Sequence, residues 1–156
     1  TGWRFGYLGA PLEIAKACIK MQGQITSATC SITQRAAVTA LSEHPKCTHE
    51  MRNKFKKRRD LMIELLSEIA GLKVNKPQGA FYIFPNIKKY IGRSYKNYQI
   101  NSANDLALFL LEDCGVSTVS GDAFGANEYI RISYAVSETD LKQACNLIKH
   151  SLKKLS

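Results

Sequence analysis

The chain has 156 residues, 45% hydrophobic and 22% charged, with a formal net charge of +9. That length suits one domain, or a small domain with a piece of another, and can bury a core. The longest apolar run, Leu106 to Leu111, is six residues, far short of the roughly 20 that a membrane-spanning helix needs, so a soluble globular protein is expected.

The first stretch, TGWRFGYLGAP, is a strand-like aromatic run with Arg4 between Trp3 and Phe5. A guanidinium carries five donors and a fixed charge, which suits a phosphate or carboxylate; an arginine that reaches solvent or a local acid is the competing reading. The run has neither an initiator methionine nor the residue order of a signal peptide, and truncation is the expected explanation. Pro11 suits the first turn of a helix with Ile14, Ala15, Cys18 and Ile19 on its apolar side, closed by Gly23. Ser31 and Gln34 form a capping-box pattern ahead of a second helix carrying Ala37, Val38 and Leu41 and ending near His44 and Pro45. A third, longer helix is expected to stop at Gly71.

That third helix contains RNKFKKRR (Arg52 to Arg59), which holds six cations. Such a run could track a phosphate backbone. Met51, Phe55, Met62, Leu65, Leu66 and Ile69 recur there at helical spacing, however, and put most of the cations on the solvated face opposite a buried stripe. The stacking aromatics and glycine-rich loops of nucleic-acid modules are missing from it.

Beyond Gly71 the period changes. LKVN, AFYIF, VSTV and YIRISYA read as strands, interrupted by a helix that starts at the Ser102/Asp105 capping pattern and ends at Gly115. A last helix starts at Ser137/Asp140 and shows Leu141, Ala144, Cys145, Ile148, Leu152 and Leu155 on one face. The second half is therefore expected to be a sheet of about four strands covered on one side by helices. Lys88 to Asn101 reads as a long, polar, tyrosine-rich loop.

Chemistry-bearing residues are sparse. Cys18, Cys30, Cys47, Cys114 and Cys145 are an odd, scattered set with no C-x-x-C pair, which favours reduced thiols in a cytosol-like compartment. HPKCTH brings His44, Cys47 and His49 together without a fourth ligand, so no metal is expected. In YIRISYA, period-2 alternation sends Ile130, Ile132 and Tyr134 to one face and Arg131 and Ser133 to the other. An arginine between two isoleucines on an interior strand calls for an anionic partner; an edge-strand arginine in solvent is the alternative.

Three segments in order, TGWRFGYLGAP, Arg58 to Ile87 (RRDLMIELLSEIAGLKVNKPQGAFYIFPNI) and Gly115 to Ala135 (GVSTVSGDAFGANEYIRISYA), resemble successive signatures of class I pyridoxal-phosphate aminotransferases of fold type I, in particular the bacterial aspartate aminotransferases. The resemblance runs over essentially the whole chain. It implies an α/β protein whose residues 1–45 end the large cofactor-binding domain and whose residues 46–156 form the small C-terminal domain, linking helix included. It also implies that Arg4 binds the cofactor phosphate and Arg131 the substrate α-carboxylate, with no catalytic residue in the chain, because the Schiff-base lysine stands upstream of Thr1. Phe81 and Tyr82, on the G-A-F-Y strand, are expected to pack in the core, with a substrate-side wall as the alternative.

The resemblance implies a cytoplasmic homodimer with pyridoxal 5'-phosphate that exchanges an amino group between an amino acid, aspartate foremost, and a 2-oxo acid, without nucleic acid or membrane; this chain by itself would be inactive. Other fold-type-I enzymes, such as an aromatic or branched-chain aminotransferase or a carbon-sulfur lyase, remain alternatives. So does a non-catalytic module that binds through its basic face.

Overall fold

The computed structural model describes residues 2–42 and 46–156. These divide into two units, Thr1–His49 and Glu50–Ser156. The expected end of the second helix, at His44 and Pro45, and the 45/46 division itself fall on or beside residues outside the described ones.

The first unit consists of an irregular N-terminal segment and the helices α1 (Leu12–Ile25) and α2 (Ser31–Ser42). The expected strand over residues 3–8 does not form: the chain turns at Gly2 and Trp3, and no described residue pairs with the rest of the run. A strand without a neighbour leaves its backbone groups without a ladder.

Pro11 caps α1 rather than opening its first turn, with Ala15 donating to the Pro11 carbonyl at 3.0 Å. Gly23 does not close the helix; α1 runs on to Ile25, where Thr26 donates to the Gln22 carbonyl and shares a side-chain bond with Gln22. A glycine inside a helix costs only about 1 kcal/mol, so local bonds of this kind can override it. In α2 the cap is Cys30 and not Ser31, since the Gln34 amide donates to the Cys30 carbonyl at 3.0 Å and the Gln34 side chain to the Thr29 carbonyl at 2.7 Å. Backbone hydrogen bonds from Thr33 and Ile32 hold the Cys30 thiol below its ordinary value.

Thr33 is the one buried side chain among the described residues of this unit, and Trp3, Leu12, Ile19 and Ile25 all stand more than half exposed. Two helices and a coil segment do not enclose a core.

The helix α3 (Lys46–Ser67) carries the basic run and contains the boundary between the units. Its stripe is buried only toward the C-terminal end, at Met62 and Leu66, followed by Ile69 in the next turn; Phe55 is half-buried and Met51 is exposed. Arg52, Lys54, Lys56 and Lys57 face solvent, while the Arg58 guanidinium lies 5.7 Å from the centre of the Phe55 ring. The helix ends four residues before Gly71, which holds φ +107° beneath Tyr90; a Cβ there would sit 3.1 Å from the Tyr90 ring. The Tyr90 hydroxyl donates to the Ala70 carbonyl at 2.6 Å and fixes this crossing.

The rest of the second unit packs around a three-stranded antiparallel sheet of order β1-β5-β4, made of β1 (Tyr82–Ile83), β4 (Val119–Ser120) and β5 (Ile130–Ser133). Tyr82 pairs with Ser133 and Val119 with Arg131. The expected fourth strand, LKVN, joins only through single bridges from Lys73 to Asn86 and from Asn86 to Tyr129. One sheet face, with Ile83, Ile130 and Ile132, is buried in the core with Met62 and Leu66 of α3, Leu106, Phe109 and Leu110 of α4 (Ala103–Cys114) and Leu141, Cys145, Ile148 and Leu152 of α5 (Glu138–Leu152).

Both later helices start where their capping patterns put them. Ser102 accepts from the Asp105 amide at 3.2 Å and Ser137 from the Asp140 amide at 3.1 Å, and Gly115 ends α4 at φ +70°. Each such cap satisfies an amide that a helix start leaves open.

The segment 88–101 is not an open loop. It folds into a short helical turn, Lys88–Tyr90, and a hairpin of β2 (Ser94–Tyr95) and β3 (Tyr98–Gln99), with Tyr90 and Ile100 buried. Tyr95 and Tyr98 meet the Phe109 ring edge-on, and Ser94 exchanges two backbone hydrogen bonds with Ser156 at 3.0 and 3.1 Å.

The thiols are sorted by position. Cys18, Cys30 and Cys47 are exposed, Cys114 is half-buried, and Cys145 is buried, which pushes its pKa up to about 11. No described helix is long and apolar enough to cross a membrane.

Candidate functional site

Arg131 sits in the central strand of the sheet, on the face turned away from the core. Alternation along β5 buries Ile130 and Ile132 and sends Arg131 and Ser133 the other way. Because Tyr82 is registered opposite Ser133, it is the diagonal neighbour of Arg131 on that face, within reach of a long side chain. Its ring centre lies 4.4 Å from the guanidinium carbon, and the Phe124 ring lies 4.9 Å from the same atom. Among the described residues no carboxylate forms an ion pair with Arg131. The guanidinium is thus held by two aromatic rings while its donors have no acidic partner.

Phe124 reaches this position from a tight turn, Gly121–Phe124. The Gly121 amide donates to the Tyr129 carbonyl at 2.8 Å, the Ala126 amide donates back to the Gly121 carbonyl at 2.9 Å, and Gly125 closes the turn at φ +69°. A Cβ at Gly121 would run into the Ala126 and Tyr129 carbonyl oxygens, so only glycine fits. Phe124 also meets Phe84 edge-on at 5.9 Å, and Phe84 stacks on Tyr129 at 5.1 Å.

On the other side, the connection into β1 is tied down at two points. Arg59 bonds Asp60 through Nε and Nη2 and donates to the Pro77 carbonyl at 3.2 Å; the Tyr134 hydroxyl donates to the Ala80 carbonyl at 2.9 Å. The Arg59 hydrogen bond holds the Asp60 carboxyl below the usual range, and burial raises the Tyr134 phenol, so Tyr134 stays a donor at neutral pH. Ala80 is kept at φ +60°, a left-handed conformation that costs a non-glycine residue roughly 1–2 kcal/mol. Phe81 is exposed and Tyr82 half-buried, so neither is the core residue expected of it.

Arg4, the other arginine singled out, belongs to the first unit. It stands at φ +53° and lines an open hollow of about 950 Å³ together with Tyr7, Cys18, Gln22, Ser27 and Thr29. The set offers a guanidinium and three hydroxyls, those of Tyr7, Ser27 and Thr29, which is donor chemistry that fits a phosphate dianion.

Phe124 escaped the sequence reading. Its one signal was an aromatic residue set between glycines in GDAFG, directly ahead of the arginine strand.

The family model for aminotransferase class I and II matches residues 1–148. An aspartate aminotransferase of Pinus pinaster is 41% identical over 156 residues, covering 97% of this chain and 32% of its own length. The crystal structure of the aspartate aminotransferase from Rhizobium meliloti superposes with a TM-score of 0.89 at 40% identity, covering 99% of this chain and 39% of that one. The aspartate aminotransferase of Thermus thermophilus, solved with maleate, gives 0.80 at 34% identity over 96% of this chain and 37% of its own. The chain thus spans between about a third and two fifths of the length of these relatives. With its strand-borne arginine in a helix-covered small sheet and this agreement from end to end, the chain belongs to the aminotransferase class I and II family.

Proposed function

We propose that the protein to which this chain belongs is a pyridoxal-phosphate aminotransferase acting on a dicarboxylic amino acid such as aspartate and a 2-oxo acid, and that Arg131 grips the substrate α-carboxylate. The observation that carries the reading is the Arg131 guanidinium, half-buried on the sheet face turned away from the core, with no acid paired to it among the described residues. Relatives named as aspartate aminotransferases, one of them solved with the dicarboxylate maleate, support the substrate class.

Arg4 would hold the cofactor phosphate, with Ser27 and Thr29 as further donors beside it. Pyridoxal phosphate, when bound, supplies an electron sink at the substrate's α-carbon. Arg131 contributes a planar fork that binds a carboxylate through paired donors and fixes the substrate's orientation. A substrate so held reacts as part of one preorganised unit, which lowers the barrier without new chemistry.

We assign residues 1–45 to the end of a larger cofactor-binding domain and 46–156 to a small domain; the bare apolar side chains of α1 and α2 support the first assignment. A cytoplasmic homodimer is the assembly proposed.

The test is kinetic, on the full-length enzyme. Charge-assisted binding of a carboxylate is worth about 1.5–3 kcal/mol, so Arg131→Ala should lower kcat/KM for both substrates by roughly 10- to 100-fold or more. Arg131→Lys should recover part of it. Values within a few-fold of wild type for both variants would sink the assignment.

A further inference from the structure

We propose that Phe124 is a positioning residue for Arg131: with Tyr82 it forms an aromatic bracket that orders the guanidinium and leaves its charge and its donors to the carboxylate. The inference rests on the reading of Arg131 as the substrate clamp.

An arginine side chain is long, and holding it ready for a planar ligand requires a support. A carboxylate would be the ordinary support, but it would occupy the N–H donors and cancel the charge that the ligand needs. Here the acids nearest in the chain are turned elsewhere. Asp122 accepts from the Ser120 hydroxyl at 2.9 Å, and Glu128 pairs with Lys88 at 2.8 Å. What touches Arg131 is aromatic on two sides, at 4.4 Å from Tyr82 and 4.9 Å from Phe124. A ring face attracts the cation through its quadrupole and offers no oxygen to compete with a substrate.

Tyr82 has a second reason for its place, because it is a strand residue in the sheet. Phe124 has none from burial: it is 50% exposed, whereas phenylalanine is among the residues most often buried. Even so, the turn that presents it admits only glycine at Gly121 and is capped by a left-handed Gly125, and the Phe124 and Phe84 rings meet edge to face. The backbone is built to deliver one half-exposed ring to one guanidinium.

The experiment uses the full-length holoenzyme, with maleate as a non-reacting probe and calorimetric titration as the readout. Phe124→Leu should weaken maleate binding by roughly 3- to 30-fold, the range of a partly desolvated cation–π contact, and Phe124→Tyr should restore it. In an Arg131→Gln background the same Phe124→Leu change should alter binding by less than about 2-fold, since there is no cation left to order. Equal losses in both backgrounds would overturn the proposal, because they mean that the ring contacts the ligand or acts through general stability. So would undiminished binding by Phe124→Leu in the Arg131 enzyme. If Arg131→Gln alone leaves maleate binding unchanged, the clamp reading falls and the bracket with it, an outcome distinct from loss in Arg131→Gln without loss in Phe124→Leu. Should Phe124→Leu not fold, Phe124→Met carries the same comparison.

Discussion

Two glycines four positions apart in the Phe124 turn should respond to alanine in opposite proportion to what backbone angles alone suggest. Gly125 holds φ +69° with open space where a Cβ would go. Gly125→Ala therefore pays roughly 1–2 kcal/mol for the left-handed conformation and regains about 0.4–1 kcal/mol because the unfolded chain has fewer states to lose, a net cost near 1 kcal/mol or less. Gly121 is not among the residues at positive φ, so by conformation an alanine there should stabilise. Space decides otherwise, since the Cβ would overlap the carbonyl oxygens of Ala126 and Tyr129, which are backbone and cannot swing aside.

Relieving that overlap breaks the Gly121–Tyr129 and Ala126–Gly121 hydrogen bonds, at about 1 kcal/mol each, with roughly 1–3 kcal/mol of overpacking strain. Gly121→Ala should thus cost about 2–4 kcal/mol after the entropy gain. Urea unfolding followed by far-UV circular dichroism measures both variants on the same chain. If Gly121→Ala proved as stable as Gly125→Ala, the claim that this turn has no room for a side chain would be wrong, and so would the account of how Phe124 is presented.

Phe109→Ala, which empties a fully buried site met by Tyr95 and Tyr98, should cost about 3–5 kcal/mol, whereas Ile14→Ala on exposed α1 should stay within about 0.5 kcal/mol; similar urea midpoints for the two would contradict the position of the core. Asp113, only 13% exposed, accepts from Lys154 and Ser151 and is held below the ordinary carboxylate value chiefly by the Lys154 hydrogen bond and then by Ser151. A depressed carboxyl adds stability above its unfolded value of 3.8 and loses it as pH falls through the folded one. The deficit of Asp113→Asn should accordingly be present at pH 7 and shrink below about pH 4; a deficit that persisted unchanged into strong acid would deny the ion pair its role.

What could be read from sequence was what is decided within a few residues. The Ser102/Asp105 and Ser137/Asp140 caps and the Gly115 stop are local hydrogen-bond chemistry, and the outward turn of Arg131 follows from period-2 alternation alone. At Gly23 one local preference gives way to another, since α1 passes through the glycine and the Gln22 and Thr26 bonds close the helix later. The 88–101 segment looked like a polar loop because its tyrosines carry hydroxyls; its partners are Phe109 and the backbone of Ser156, both distant in the chain. Of the site, the arginine was legible and its aromatic support was not. Tyr82 meets Arg131 only through strand register, and Phe124 only through a turn whose shape depends on carbonyls five and eight residues beyond Gly121.

The sorting of the thiols makes the chain its own probe of opening. A water-soluble maleimide or disulfide reagent should modify Cys18, Cys30 and Cys47 promptly, as all three are exposed. Cys145 reacts only as thiolate, and its thiolate is suppressed by the same burial that shields the sulfur. Its modification therefore waits for the α5 core to come apart. Under native conditions the rate at which a late adduct accumulates on Cys145, resolved by mass spectrometry, times the opening of the second unit with no engineered label. The same arithmetic warns the biochemist who stores the protein without reductant: the thiols that will cross-link first all lie in its first 47 residues.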